Sequence, residues 1–216
     1  MILLKKLDNK ALAWVKFSVF LLALIPIARL GVGAYFDDLG ANPIEKITRT
    51  TGYWTLVFLL ITLTITPLRR IIGWTWLMRL RRMLGLFVFF YASLHFLTYL
   101  VLDQFFDWAA IIKDIVKRPY ITVGFPAFIL LIPLAITSNN RLIGLLGGRR
   151  WLLLHRLVYL CAIGGVVHYW WLVKKDISNP LTFAVLLGLL LGVRLLYWLR
   201  GLNKSFAVFN RSGDVT

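Results

Sequence analysis

The chain is poor in the residues that soluble redox and metal chemistry draws on. Its 216 residues include a single cysteine, Cys161, only three histidines, and nine acidic residues against 25 basic ones. One cysteine excludes a disulfide within the chain and excludes zinc or iron–sulfur sites built on cysteine thiolates. Charge is scarce as well: 16% of residues are charged and 60% are apolar, with a mean hydropathy of +0.79. Soluble chains run at about 45–50% apolar and about 25% charged, so a soluble domain of ordinary composition is excluded and lipid must solvate most of this surface. At about 20 apolar residues per crossing, the length suffices for six helices joined by short loops, with no room for a sizeable soluble domain.

Apolar windows place the spans near Leu12–Tyr35, Gly52–Leu68, Met83–Leu102, Ile121–Ile136, Trp151–Val173 and Leu181–Leu199. The expected fold is an all-α integral membrane protein, a six-transmembrane-helix bundle forming one domain over residues 1–216 with a short cytoplasmic tail at 201–216. The first span follows Lys5, Lys6 and Lys10 as in a signal peptide. Its apolar run exceeds the roughly 7–15 residues of a signal, and no small-residue cleavage site follows, so it reads as a membrane anchor.

Basic residues set the expected orientation. Lys5, Lys6, Lys10 and Lys16, then Arg69, Arg70, Arg79, Arg81 and Arg82, then Arg141, Arg149 and Arg150, and finally Arg200, Lys204 and Arg211 fall on one side. The other side carries only Lys46, Arg49, Lys113, Lys117, Arg118, Lys174 and Lys175. The positive-inside rule then puts both termini in the cytoplasm. A net charge of +16 in a soluble protein would point to nucleic acid, but here the basic residues sit between apolar runs and read as topology and as contact with anionic lipid. The outer loops also carry Asp37, Asp38, Glu45, Asp103, Asp107, Asp114 and Asp176, a candidate docking surface for an outside partner. Trp14, Trp54, Trp108, Trp151, Trp171 and Trp198 fall near expected span ends, as aromatic belts require, and Gly73–Trp76 reads as a segment along the cytoplasmic interface.

All three histidines lie inside expected spans: His95 in the third, His155 and His168 in the fifth. Ionisable groups in hydrocarbon are costly and mark a pathway, a ligand or an interhelical hydrogen bond. No carboxylate lies in the expected spans, which leaves proton-coupled transport little to work with. Neutral imidazole is a standard iron ligand and needs no counter-charge, so axial ligation of heme fits these histidines better. From His155 to His168 is 13 residues, about 20 Å along a helix, which is enough for two hemes at two depths. In a straight helix that step leaves the side chains about 140° apart, so both would not face one neighbour. Gly164 and Gly165 between them would permit bending or close helix contact.

Arg81 stands 14 residues before His95, so Arg81 and His155 form an inner rung and His95 and His168 an outer one. Arginine is a poor metal ligand, which leaves the second ligand of the inner rung open. The plainer reading of these histidines is packing or hydrogen bonding. Arg81 and Arg82, like Arg149, Arg150 and Arg156, read first as positive-inside anchors and second as contacts for heme propionates or a flavin phosphate. Arg29 and Arg194 read as snorkelling cations.

Six spans, a histidine in the third and a 13-spaced pair in the fifth resemble the ferric-reductase-like transmembrane domain family. Within it, the likeness is to the heme-binding membrane subunits of bacterial methionine sulfoxide reductase systems. It is carried by Arg81-Arg82-Met83-Leu84-Gly85, Ser93-Leu94-His95, Leu154-His155-Arg156-Leu157-Val158-Tyr159 and Val167-His168-Tyr169. The resemblance implies an electron-transfer subunit of the bacterial inner membrane with one or two b-type hemes. His95, His155 and His168 match the axial-ligand positions, and Arg81 stands where relatives such as the NADPH oxidases carry another histidine. It also implies an FMN, electrons drawn from the quinone pool or a cytosolic flavin reductase, and a periplasmic molybdopterin methionine sulfoxide reductase as partner. Only Gly201–Thr216 follow the last span, so the chain alone is not expected to oxidise NAD(P)H, and substrate reduction falls to the partner. Two alternatives remain: a cytochrome b subunit for another periplasmic oxidoreductase, or a transporter or assembly protein with structural histidines and no heme.

Overall fold

The computed structural model describes residues 7–173 and 175–213, with residues 201–213 described by their backbone alone. The expectations resting on Lys5, Lys6 and Lys174, and on the side chains of Lys204 and Arg211, lie outside the described residues. The described residues are helical, without strands.

The first helix, α1 (Asn9–Tyr35), starts where the Asp8 carboxylate accepts the Ala11 N–H at 2.7 Å. The second, α2 (Pro43–Ile72), starts at the Asn42 side chain, which accepts the Glu45 N–H at 3.1 Å, with Pro43 in the first turn where its missing N–H costs nothing. It ends at Gly73, whose φ of 77° is the left-handed conformation that caps helices and that a side chain would resist. A 3-10 turn, Thr75–Arg79, leads into α3 (Arg81–Leu97), which continues as a π-helical turn over Thr98–Asp103. Then come α4 (Trp108–Lys117), α5 (Pro119–Ile136), α6 (Asn140–Leu146), α7 (Gly148–His155), α8 (Val158–Leu172) and α9 (Ser178–Gly213). The residues expected to form a tail thus continue the backbone of the last helix as far as Gly213.

Among the described residues, six segments are long and apolar enough to cross a membrane: Asn9–Tyr35, Pro43–Ile72, Arg81–Asp103, Pro119–Ile136, Gly148–Leu172 and Ser178–Arg200. The protein is a multi-pass integral membrane protein, and each span coincides with an expected one. Helix α2 starts nine residues before the expected span, and Trp54 lies within it. Trp54 sits three turns into the helix and packs on Phe58 at 5.7 Å between ring centroids.

Helix α2 is the hub, packed chiefly on α3 and also against α1, α8 and α9, while α5 lies along α8. The ring of Phe58 stacks on Phe87 and Tyr91, and the fully buried Tyr91 donates its hydroxyl to the Ala23 carbonyl of α1 at 2.7 Å. Gly164 and Gly165 let helices approach closely. A Cβ at Gly164 would stand 3.1 Å from Ala127, and one at Gly165 would stand 2.9 Å from Leu56. They do not bend the fifth span. The break falls at Arg156–Leu157, where the N–H groups of Arg156 and Leu157 bond Leu153 and Leu154, three residues back, at 3.1 and 3.0 Å. That tightening separates α7 from α8, so the rotation expected of a straight helix between His155 and His168 does not apply.

Arg194 does not snorkel. Its guanidinium bonds the carbonyls of Leu190 and Leu63 and lies 5.5 Å over the Tyr159 ring, tying α9 to α2 and α8. Several of the acidic residues expected on the outer side are likewise committed locally: Glu45 pairs with Arg49 at 2.6 Å, Asp114 with Arg118 at 3.3 Å, and Asp107 caps α4 through the Ala110 N–H. The Ser178 hydroxyl bonds Asp176 and holds its carboxyl below the usual range.

Candidate functional site

The third and fifth spans bring the rings of His95 and His168 together, edge to face. Their ring centroids are 6.0 Å apart and their planes 84° apart. His95 Nδ1 lies 2.9 Å from the Thr48 carbonyl, and His168 Nδ1 lies 2.6 Å from the Tyr120 carbonyl. A carbonyl only accepts, so each Nδ1 donates its proton and each Nε2 keeps a free lone pair.

The two carbonyls are reached by the same device. Thr48 precedes Gly52 by one helical step of four residues on α2, and Tyr120 precedes Gly124 by the same step on α5. In a helix the residue at i+4 stands over the carbonyl of residue i, and here it carries no side chain. A Cβ at Gly52 would lie 3.1 Å from His95 Nδ1, and one at Gly124 would meet the His168 ring, with Cε1 at 2.9 Å. Each histidine therefore sits in a notch of bare backbone.

The pair borders a cavity of about 530 Å³, walled by Leu56, Leu59, Phe96, Phe125, Phe128 and Leu131 among others. Ligand cavities run about 300–1,000 Å³ and combine apolar walls with a few placed polar groups. The polar groups here besides the histidines include Arg49, Asp103, Arg118 and Tyr120, and α4 contributes Trp108, Ile111, Ile112 and Ile115. Arg118, just before α5, donates to the Tyr120 hydroxyl at 3.4 Å, which holds the guanidinium above its usual pKa.

Two imidazoles with free Nε2 lone pairs on one apolar cavity form a donor set that would suit a heme, with His95 and His168 as the residues that would hold it. Among the described residues no cluster of three or more His, Cys, Asp or Glu forms a metal site, so a metal here would need a macrocycle for its remaining positions. Heme supplies that.

His155 sits elsewhere. Its Nε2 lies 3.1 Å from the Thr137 hydroxyl, its ring stacks on Trp151 at 4.0 Å, and the Trp151 indole donates to the Thr137 carbonyl at 2.9 Å. Thr137 already gives its proton to the Pro133 carbonyl at 2.6 Å, so Nε2 of His155 is the donor and Nδ1 keeps the lone pair, the reverse of His95 and His168. Arg81 lies within electrostatic reach of His155, and neither residue borders the cavity of His95 and His168. Arg82 donates to the Asn140 side chain at 2.9 Å and so joins α3 to α6. Gly52, Gly124 and Thr137 carry no motif that sets them apart in the sequence; their part in the site depends on how the helices pack.

Residues 47–166 match the model of the family described as ferric reductase like transmembrane component. A protein of Herminiimonas arsenicoxydans named protein-methionine-sulfoxide reductase heme-binding subunit MsrQ is 54% identical over 203 residues, 93% of each chain. The proteins of that name from Ralstonia nicotianae and Rhodospirillum rubrum are 52% identical over 92% of this chain and 93% of theirs, and 56% identical over 83% of this chain and 86% of theirs. No solved structure matches the chain. The chain belongs to the ferric-reductase-like transmembrane family and, within it, to the MsrQ group.

Proposed function

We propose that this chain is the b-type heme electron-transfer subunit of a periplasmic methionine sulfoxide reductase, seated in the bacterial inner membrane with both termini in the cytoplasm. The observation that carries the reading is the imidazole pair, His95 and His168, each with Nδ1 spent on a backbone carbonyl. Bound between them, a heme supplies a one-electron carrier whose potential is set by its axial nitrogens and the dryness of its surroundings. The Thr48 and Tyr120 carbonyls fix the tautomer and orientation of the two rings. Phe96, Phe125 and Phe128 keep water from the cavity, and Arg49 and Arg118 lie on its polar side.

Electrons enter from the quinone pool, or from a cytosolic flavin reductase through an FMN, and leave on the outer side to an MsrP-like molybdopterin reductase. Reduction of a sulfoxide to a thioether takes two electrons and two protons, so a one-electron carrier must act twice per turnover. His155, with Arg81 beside it, is the inner position. Its ligation of a second heme through Nε2 requires release of Thr137, so the geometry favours one heme, at the outer pair.

Stopped-flow mixing tests the reading. The reduced chain in detergent or vesicles is mixed with the purified periplasmic reductase and a methionine sulfoxide peptide. Heme reoxidation that needs the partner, and that continues beyond the partner's own two-electron capacity only when the peptide is present, is expected. Reoxidation unaffected by either would overturn the assignment of the acceptor.

A further inference from the structure

Helix α4 carries an apolar face that neither the protein nor water accounts for. At 3.6 residues per turn, Trp108, Ile112 and Val116 recur with a drift of only about 40° per step. They are 63%, 64% and 78% exposed. On the adjoining arc Ile111 is buried, and with Ile115 it walls the cavity of His95 and His168. The opposite arc holds Lys113, Asp114 and Lys117. Just before the helix, Phe105 and Phe106 take left-handed φ values of 46° and 61° and are also exposed. This backbone region disfavours bulky side chains.

The height of α4 is fixed by its tethers. One span ends at Asp103 and the next begins at Pro119, so both ends of a helix about 15 Å long are held at the outer boundary of the hydrocarbon. A short helix held there, with an apolar face on one side and lysines on the other, lies in the plane of the membrane interface.

We infer that α4 is seated in the outer-leaflet phospholipid interface, with Trp108, Ile112 and Val116 among the acyl chains and Lys113 and Lys117 toward lipid phosphates. Trp108 and Ile112 also stand on the rim of the cavity, while Ile111 and Ile115 face into it. Lipid therefore backs the helix that closes the histidine site on its outer side. This seating rests on the membrane spans and, for its leaflet, on the orientation proposed above, and not on the presence of heme.

Site-directed fluorescence separates lipid from the other occupants. The native Cys161 is buried, so Cys161→Ala gives a background for Ile112→Cys and Lys113→Cys, each labelled with an environment-sensitive dye. The full chain is placed in vesicles of phosphatidylethanolamine and phosphatidylglycerol. The label at 112 is expected to be quenched several-fold more by nitroxide lipid than the label at 113, and several-fold less by aqueous iodide. Equal iodide access at both positions would overturn the inference, as would shielding at 112 that arises only when the periplasmic reductase is added. The native chain supplies an independent reading. Trp108→Phe should remove part of the tryptophan quenching caused by brominated lipid, and unchanged quenching would count against the inference.

Discussion

The rings of His95 and His168 stand 6.0 Å apart between centroids with their planes nearly perpendicular, and each is fixed by a bond from Nδ1 to a backbone carbonyl of a neighbouring helix. Each of these constraints can be removed separately, because the carbonyls belong to α2 and α5 and not to the helices that carry the histidines.

His95→Ala and His168→Ala each delete one side of the pair. Both are expected to abolish the low-spin absorption of the outer heme, whereas Arg81→Ala and His155→Ala should leave it in place. Visible spectra of the reduced proteins distinguish these outcomes, and loss of all heme in the Arg81 variant would mean that the two positions are not independent.

The glycine notches predict an order of severity. Gly124→Ala puts a methyl group into the His168 ring, and Gly52→Ala puts one 3.1 Å from His95 Nδ1. A methyl that backbone cannot evade displaces the ring or opens the helix pair, at a cost of about 1–3 kcal/mol for overpacking. Gly124→Ala should therefore lose axial ligation, seen as high-spin heme or reduced heme content. Gly52→Ala should keep heme with a shifted potential. Redox titration beside the visible spectrum measures both.

Ring orientation has its own signature. A heme held by two imidazoles with perpendicular planes would receive similar π donation in its two iron d orbitals of π symmetry, which would leave those orbitals nearly degenerate. The oxidised protein should then show a single feature at large g in low-temperature electron paramagnetic resonance. A rhombic spectrum with all g values resolved would indicate parallel rings and contradict the 84° geometry.

Away from the site, the Tyr91 hydroxyl holds α3 to the Ala23 carbonyl of α1 at a fully buried position. Tyr91→Phe leaves a carbonyl without that partner and should destabilise the bundle by about 1–3 kcal/mol, with the heme spectrum unchanged. Thermal unfolding in detergent followed by circular dichroism checks it.

The spans were readable because crossing a bilayer demands length and apolarity, and both are visible in composition alone. His95 and His168 were readable because an ionisable group in hydrocarbon stands out against Leu and Phe. Gly52 and Gly124 were hidden because their value lies in which carbonyl each leaves bare, a pairing set by how α3 meets α2 and α8 meets α5. The break at Arg156–Leu157 carries no proline or glycine, so nothing local announced it, while the conspicuous Gly164–Gly165 pair serves helix contact. Helix α4 falls between two expected spans because its 10 residues are too few to register in windows sized for a membrane crossing.

The central claim is that the pair His95 and His168 holds heme. The direct measurement is heme content by pyridine hemochrome, with oxidised and dithionite-reduced visible spectra, on the purified wild type and on His95→Ala and His168→Ala made in heme-replete cells. The account predicts a low-spin b-type spectrum in the wild type that both substitutions remove. A colourless wild type, or full heme retention in both variants, would contradict it.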